Sequence, residues 1–380
     1  MIEDYSKDFG PFDGKVWLNC ASEGAMPHVA AQAAQEAIGW KIKPFNLTHQ
    51  RFREVPLQLK TTIGRLMNVD ADDVILGNSA TYGIHLLAHG LPVKTGDEII
   101  VMQNDFPTDI LPWLWLEKKG VNIRQLKPRG HILTAEEIEA NITPQTKVVC
   151  LPHVHTFSGH IVDILAIGRL CRQRRIIFVV NFSQSLGTRP IDLAQLPVDA
   201  MTTAGFKWLL GPYGTGFCWM QPKLREQLQY HQAFWVNTLS QEEREREGPL
   251  SWQPSSETRR LDVFGTANFF NFRPLTVSIQ YLLNIGLGKV HQHNDTLVEQ
   301  LLSGLEKSGY DLISPRAKEK RSTLVVFSHP NKERNKGIHQ ELLAQGICLA
   351  LWKGHLRASA HIYNTAVDIE KLISTLKKIG

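Results

Sequence analysis

The chain has 380 residues and a mass of 42.9 kDa, more than the ~250–300 residues at which a single hydrophobic core stops growing, so one large domain with a smaller companion is expected. Hydrophobic residues make up 43% and charged residues 21%, with 28 Gly and 19 Pro, which excludes a disordered, collagen-like or coiled-coil protein. The net charge of +5 comes from 42 basic and 37 acidic residues scattered along the chain, without the concentrated basic stripe of a nucleic-acid binder.

The longest unbroken apolar run is Ile347–Trp352, far short of the ~20 residues a membrane helix needs, and the opening MIEDYSKDFG has no basic, apolar leader pattern. Five cysteines, with no C-x-x-C pair and an odd count, fit reduced thiols and argue against a disulfide framework or a zinc site. The expectation is a cytoplasmic protein with no membrane, metal or nucleic-acid partner.

In chain order, Leu59, Ile63, Leu66 and Met67 share one helical face, which predicts a helix packed on a sheet. Strand Val74–Leu76 is then followed by a helix over Tyr82–Leu91 and strand Glu98–Met102. Thr134 and Glu137 form a capping box at a helix start. Strand Val148–Leu151, helix Ile164–Arg172 and strand Ile176–Val180 come next. Short strands, apolar on both faces and separated by helices, predict a mostly parallel sheet wrapped by helices. The charge run Gln241–Glu247 reads as an exposed loop or helix end. From Pro274 to Leu305 the pattern is helical with a break near Gly286–Gly288. Strand Leu324–Phe327, helix Gly337–Gln345, strands Ile347–Trp352 and Arg357–Ile362, and helix Val367–Lys378 complete a separate α+β unit.

Open parallel sheets gather ligands where strands end and helices begin. Gly77-Asn78-Ser79-Ala80-Thr81-Tyr82-Gly83 lies at such a place, and suits either a phosphate at a positive helix end or an ordinary capping turn. Phe106, after the next strand, offers a flat face to an aromatic ligand or else belongs to the core. Asn181-Phe182-Ser183-Gln184 ends a buried apolar strand. Lys207 stands among small and apolar residues from Ala204 to Gly216, where desolvation lowers a lysine's pKa and makes it a usable amine nucleophile; a surface lysine in a Gly-rich loop is the plainer alternative.

These pieces together resemble the fold-type I pyridoxal-phosphate enzymes, and within them the class V aminotransferase-like family, which includes cysteine desulfurases, isopenicillin N epimerase-like proteins and C–S lyases. The resemblance runs from Val16-Trp17-Leu18-Asn19 to Tyr363-Asn364-Thr365. It is most specific at Phe206-Lys207-Trp208-Leu209-Leu210-Gly211-Pro212, Phe264-Gly265-Thr266-Ala267-Asn268 and Leu356-Arg357-Ala358-Ser359-Ala360-His361-Ile362-Tyr363-Asn364-Thr365.

The resemblance implies an α/β fold with an N-terminal segment over residues 1–50 that packs with the small domain. A large cofactor-binding domain over 51–270 and a small C-terminal domain over 271–380 would follow. The cofactor would be pyridoxal 5′-phosphate, with Lys207 as its Schiff-base partner and the proton carrier at the substrate Cα. Ala80 and Thr81 would hold its phosphate and Phe106 would stack on its ring. Gln184 would contact the ring oxygen, with Thr156 where desulfurases place an asparagine. Thr266 would reach the phosphate in a partner subunit, which implies a homodimer. Arg357 would bind the carboxylate of a small amino-acid substrate, and Asn19 would line the substrate mouth.

Three positions depart from the family pattern, Thr156 among them. Asn181 stands where an Asp normally keeps the ring nitrogen protonated, and an amide supplies no charge; the expected result is a weaker electron sink. Ala204 stands where many relatives have a phosphate-binding serine. No cysteine lies between Trp352 and Arg357, where desulfurases carry their nucleophile. Epimerisation or β-elimination of a C–S bond is therefore expected. A class V aminotransferase and a cofactor-binding protein without catalysis are the alternatives.

Overall fold

The computed structural model describes residues 4–229, 233–250, 258–265 and 267–379. A short first strand, β1 (Val16–Trp17), is followed by helices α1 (His28–Ile42) and α2 (His49–Met67). The predicted face of α2 is buried at Leu59, Ile63, Leu66 and Met67. Thr48 caps its start, and Asn68, at a φ of 56°, ends it in the left-handed conformation that asparagine tolerates.

Seven strands form the central sheet: β2 (Val74–Gly77), β3 (Glu98–Met102), β4 (Asn122–Leu126), β5 (Thr146–Pro152), β6 (Ile177–Asn181), β7 (Ala200–Ala204) and β8 (Gly216–Met220). Helix α3 (Ala80–Gly90) connects β2 to β3. The spatial order is β2-β8-β7-β6-β5-β3-β4; β8 is antiparallel to both neighbours and all other pairs are parallel. Successive residues enter opposite cores, as strand geometry requires. Ile100, Met102, Val149 and Leu151 face α2, whereas Ile99, Val101, Val148 and Cys150 face Ile84 and Leu87 of α3. The architecture is the α/β fold expected from the sequence, a mostly parallel sheet wrapped by helices.

Three of these strands carry little sequence signal. The edge strand β4 is polar, β7 is built from small and hydroxyl residues, and β8 is hidden behind the glycines that precede it. Pairing with buried neighbours makes them strands.

Helix Phe269–Ile285 inserts Phe272, Leu275, Ile279 and Leu282 into the core of the large sheet. Gly286, at a φ of 91°, breaks it from helix Leu287–Glu306. The latter packs Leu297, Leu301 and Leu305 into another core. Strands β9 (Asp311–Leu312), β10 (Val325–Ser328), β11 (Ile347–Cys348), β12 (Ala350–Trp352) and β13 (His355–Ala358) follow, with helices Asn335–Ala344 and Ala366–Ile379.

The structure corrects two expectations here. The run Ile347–Trp352 is not one strand: β11 pairs in parallel with β1, whereas β12 pairs with β13 in the sheet β12-β13-β10-β9. An apolar run looks the same in one sheet or two, and only the partners separate them. The strand predicted over Arg357–Ile362 stops at Ala358, because Ser359 leaves the sheet to bridge Asn19. The charge run holds a short helix, Gln241–Glu245, capped by Ser240. Among the described residues, no helix is long and apolar enough to cross a membrane, and no group of His, Cys, Asp and Glu is arranged to hold a metal ion.

Candidate active site

The segments after β2, β3, β5, β6 and β7 all emerge at one edge of the sheet, the carboxyl edge where open α/β sheets bind ligands. They enclose a cavity of about 370 Å³, and the chain from Ala21 to Ser22 and the side chain of Arg357 close it from the C-terminal side.

Lys207 follows β7. Its loop is held by packing at glycines: Gly24 donates its N–H to Phe206 O at 2.9 Å, and a Cβ on Gly24 would fall 2.0 Å from Lys207 O. Lys207 Nζ lies 5.3 Å from the centre of the Phe106 ring. Burial, and then the like charge of Arg357, push its pKa down to about 8, against the opposing pull of Asp109, Glu23 and Cys20. This is the desolvated amine expected from the sequence.

At one end of the cavity lies the start of α3. Ser79 is the N-cap residue but makes no capping bond with its side chain; its hydroxyl donates to Asn78 Oδ1 at 3.2 Å. Ala80 and Thr81 line the cavity there, and the hydroxyls of Thr81 and Thr108 are 3.0 Å apart. A Cβ on Gly216 would lie 2.6–2.8 Å from the Ser79 backbone, so only glycine lets the start of β8 pass beneath this turn. Small residues, hydroxyls and a positive helix end make an anion cradle. Ala204 also lines the wall; its N–H donates to Ser183 Oγ at 3.0 Å.

Phe106 forms one wall. Asn181 lies at the floor, at the end of β6. Its Oδ1 accepts the Ser183 N–H at 2.9 Å and its Nδ2 donates to Asp109 Oδ1 at 2.8 Å. Asp105, on the same loop as Asp109, accepts the Phe106 N–H at 2.7 Å. Burial drives both carboxyl groups upward; Asp105, additionally raised by Asp109, rises well above the usual range, while the Asn181 donor and Lys207 oppose the rise at Asp109.

The upper wall is a connected network. Gln184 accepts from Trp208 Nε1 at 2.9 Å and donates to both Ala21 O and Thr156 Oγ1 at 3.1 Å. Thr156 Oγ1 also accepts from Arg357 Nη1 at 2.7 Å, and Arg357 Nη2 donates to Ser22 Oγ at 2.8 Å. Arg357 is 3% exposed, and its Nε has no partner. No carboxylate among the described residues pairs with it. Burial lowers its pKa to about 10.

Not every sequence candidate reaches the cavity. Asn19 does not line it: its carbonyl accepts from Ser22 and Glu23 N in a tight turn, and its main chain bridges Ser359. That turn projects Ser22 into the site instead. Thr266 lies outside the described residues. Ser22 and Asp109 carry no motif of their own, although both stand beside segments that do.

This arrangement matches known proteins along the whole chain. The family model for aminotransferase class-V matches residues 25–372. Similar curated proteins include a probable cysteine desulfurase of Methanothermobacter thermautotrophicus, 24% identical over 100% of this chain and 98% of that one. Another is the isopenicillin N epimerase of Streptomyces clavuligerus, 24% identical over 94% and 93% of the two chains. Among solved structures, a mutant of C-DES with glycine covalently linked to its PLP cofactor superposes with a TM-score of 0.90 at 21% identity, covering 100% of both chains. The complex of the cystine C-S lyase C-DES with cysteine persulfide gives 0.87 at 23% identity, covering 96% and 98%. The chain belongs to the aminotransferase class-V family and is a pyridoxal-phosphate-dependent enzyme. The cavity fits that cofactor: it has an amine, an aromatic wall, an anion cradle at one end and buried polar groups at the other.

Proposed function

We propose that the protein is a lyase that removes the Cα proton of a small sulfur-containing amino acid and releases sulfur from Cβ. The observation that carries this reading is the pairing of a neutralisable amine, Lys207, with a buried and unpaired guanidinium, Arg357, at one cavity. A buried cation without a partner is costly, and a substrate carboxylate offsets that cost while fixing the direction of the Cα–H bond.

Bound pyridoxal phosphate supplies the electron sink for the charge left at Cα. Ala80 and Thr81 would hold its phosphate, Phe106 would cover its ring, and Asn181 would face its ring nitrogen. Both Nε2 hydrogens of Gln184 are already donated, so Thr156, which accepts from Gln184 and Arg357, is the group left to donate to the ring oxygen. Lys207 would hold the cofactor and supply the amine that takes the Cα proton. The Cβ–S bond then breaks with its electron pair leaving on sulfur, and hydrolysis of the remainder gives pyruvate and ammonia. The reacting enzyme is proposed to be a homodimer, with Thr266 reaching the partner's site, and to work in the cytoplasm.

Elimination is favoured over epimerisation because, among the described residues, Lys207 is the only amine base lining the cavity. The other titratable groups there are the floor carboxylates, Arg357 and the exposed Tyr213. Elimination needs one base, whereas epimerisation requires protonation from the opposite face as well. None of the five cysteines lines the cavity, so the nucleophilic thiol of a desulfurase is missing. The test is an absorbance screen of the cofactor-loaded protein against L- and D-amino acids, with product analysis. Pyruvate and ammonia from cysteine or cystine are expected. Accumulation of pyridoxamine phosphate and stoichiometric oxo acid makes the enzyme an aminotransferase instead, and conversion of one enantiomer to the other makes it an epimerase.

A further inference from the structure

The floor of the cavity holds a carboxylate that position 181 lacks. Asp109 is 1% exposed and lies in no ion pair with a lysine or arginine among the described residues. Its Oδ1 accepts from Asn181 Nδ2 at 2.8 Å. The amide cannot be turned round, because its other end accepts the Ser183 N–H, which only donates. Asn181 is therefore fixed with its Nδ2 against the carboxylate. An Asp at 181 would carry the charge itself; here it sits one hydrogen bond away, on the loop after β3.

We propose that Asp109 is the counter-charge for the ring nitrogen of bound pyridoxal phosphate, so that the Asn181–Asp109 pair performs the electrostatic role of a single aspartate at position 181. The inference rests on the cavity being the cofactor site.

The surroundings of Asp109 support the assignment. Asp105 faces it from the same loop, Cys150 from β5, Asn181 from β6 and Lys207 from the loop after β7. Two buried carboxylates this close do not both ionise. Asp105 has an Oδ2 without a hydrogen-bond partner and is the one raised further, so it keeps the proton. Asp109, whose rise the Asn181 donor and Lys207 oppose, is pushed up only to about 7 and is the more readily ionised of the two. A buried anion that lacks a paired cation is complementary to a protonated ring nitrogen. With this counter-charge the electron sink is stronger than Asn181 alone would supply.

The experiment loads wild type, Asp109→Asn and the exchanged double variant Asp109→Asn/Asn181→Asp with pyridoxal phosphate isotopically labelled at the ring nitrogen. Nuclear magnetic resonance then reports the protonation of that nitrogen, and fluorescence titration reports cofactor affinity. In wild type the nitrogen is expected to be protonated near neutral pH. In Asp109→Asn its midpoint should fall by ~1–3 pH units, and affinity by at least about tenfold. The double variant, with the charge moved to position 181, should restore both. An unchanged nitrogen signal in cofactor-loaded Asp109→Asn overturns the proposal. So does weak binding that the double variant fails to recover, which marks Asp109 as a folding residue. Wild type that binds no pyridoxal phosphate overturns instead the reading of the cavity itself.

Discussion

Lys207 is costly to bury as a cation, and that cost is measurable apart from catalysis. Its pKa is about 8 in the folded protein against 10.5 as the ordinary value. Between these values the unfolded chain binds more protons than the folded one, so stability rises with pH through that window. Below about pH 8 the penalty is fully present. Urea unfolding of the cofactor-free protein at pH 7.5 and 10 should show wild type gaining on the order of 2–3 kcal/mol relative to Lys207→Met. A constant difference between the two proteins would mean that Lys207 is not desolvated.

Arg357 makes the opposite kind of test. Its hydrogen bonds go to two hydroxyls and the Thr156 carbonyl, not to a carboxylate. Arg357→Leu should therefore cost the empty protein little stability, since no buried anion is orphaned. The same variant should lose ~10²-fold or more in kcat/KM toward amino acids, through loss of charge-assisted bonds to the substrate. A large drop in melting temperature would make Arg357 a structural residue.

The decisive element is the turn from β2 into α3. The strand run Val74–Leu76 and the small, hydroxylated residues after it made both the strand and the helix start legible. The identity of the residue beneath the turn was not legible: Gly216 belongs to β8, which the sequence hides. Gly216→Ala places a methyl group within 2.6–2.8 Å of Ser79 backbone atoms, and the turn must shift. Overpacking of this kind costs ~1–3 kcal/mol. Because the shift falls at the proposed phosphate end, cofactor affinity should drop along with melting temperature. Full affinity in a destabilised variant would show that the turn does not hold the phosphate.

At the scale of the molecule, the N-terminal segment acts as a strap between two cores. β1 pairs with β11, Ser22 holds Arg357, and Gly24 packs against Lys207. On the outside, Ile38, Ile42, Phe45 and Leu57 of the α1–α2 region are 48–78% exposed, as are Leu111 at 61% and Trp115 at 49%. Exposed apolar side chains of this kind are what the proposed dimer would cover. Sedimentation of the cofactor-loaded enzyme should show a dimer, and Thr266→Ala should weaken cofactor binding in it. A monomer with full cofactor affinity would contradict the proposed shared site.

Local pattern was enough to determine the α/β class, the α2 face, the Thr134–Glu137 capping box, the break at Gly286 and the desolvated setting of Lys207. Each depends on residues within a few positions of one another, so periodicity, turns and flanking apolarity carry the information. The tertiary structure alone decided where the run Ile347–Trp352 divides, since that depends on strand partners. It also decided that Ser22 rather than Asn19 reaches the cavity, through a contact with Arg357 spanning 335 positions. Above all, it decided which group lies beside Asn181. The sequence reports a missing aspartate at 181, but Asp109 lies 72 positions away and meets it only because β5 and β3 follow β6 in the sheet. Strand order is set by the packing of the whole chain, and that packing sets the Asp109 carboxyl group beside Asn181.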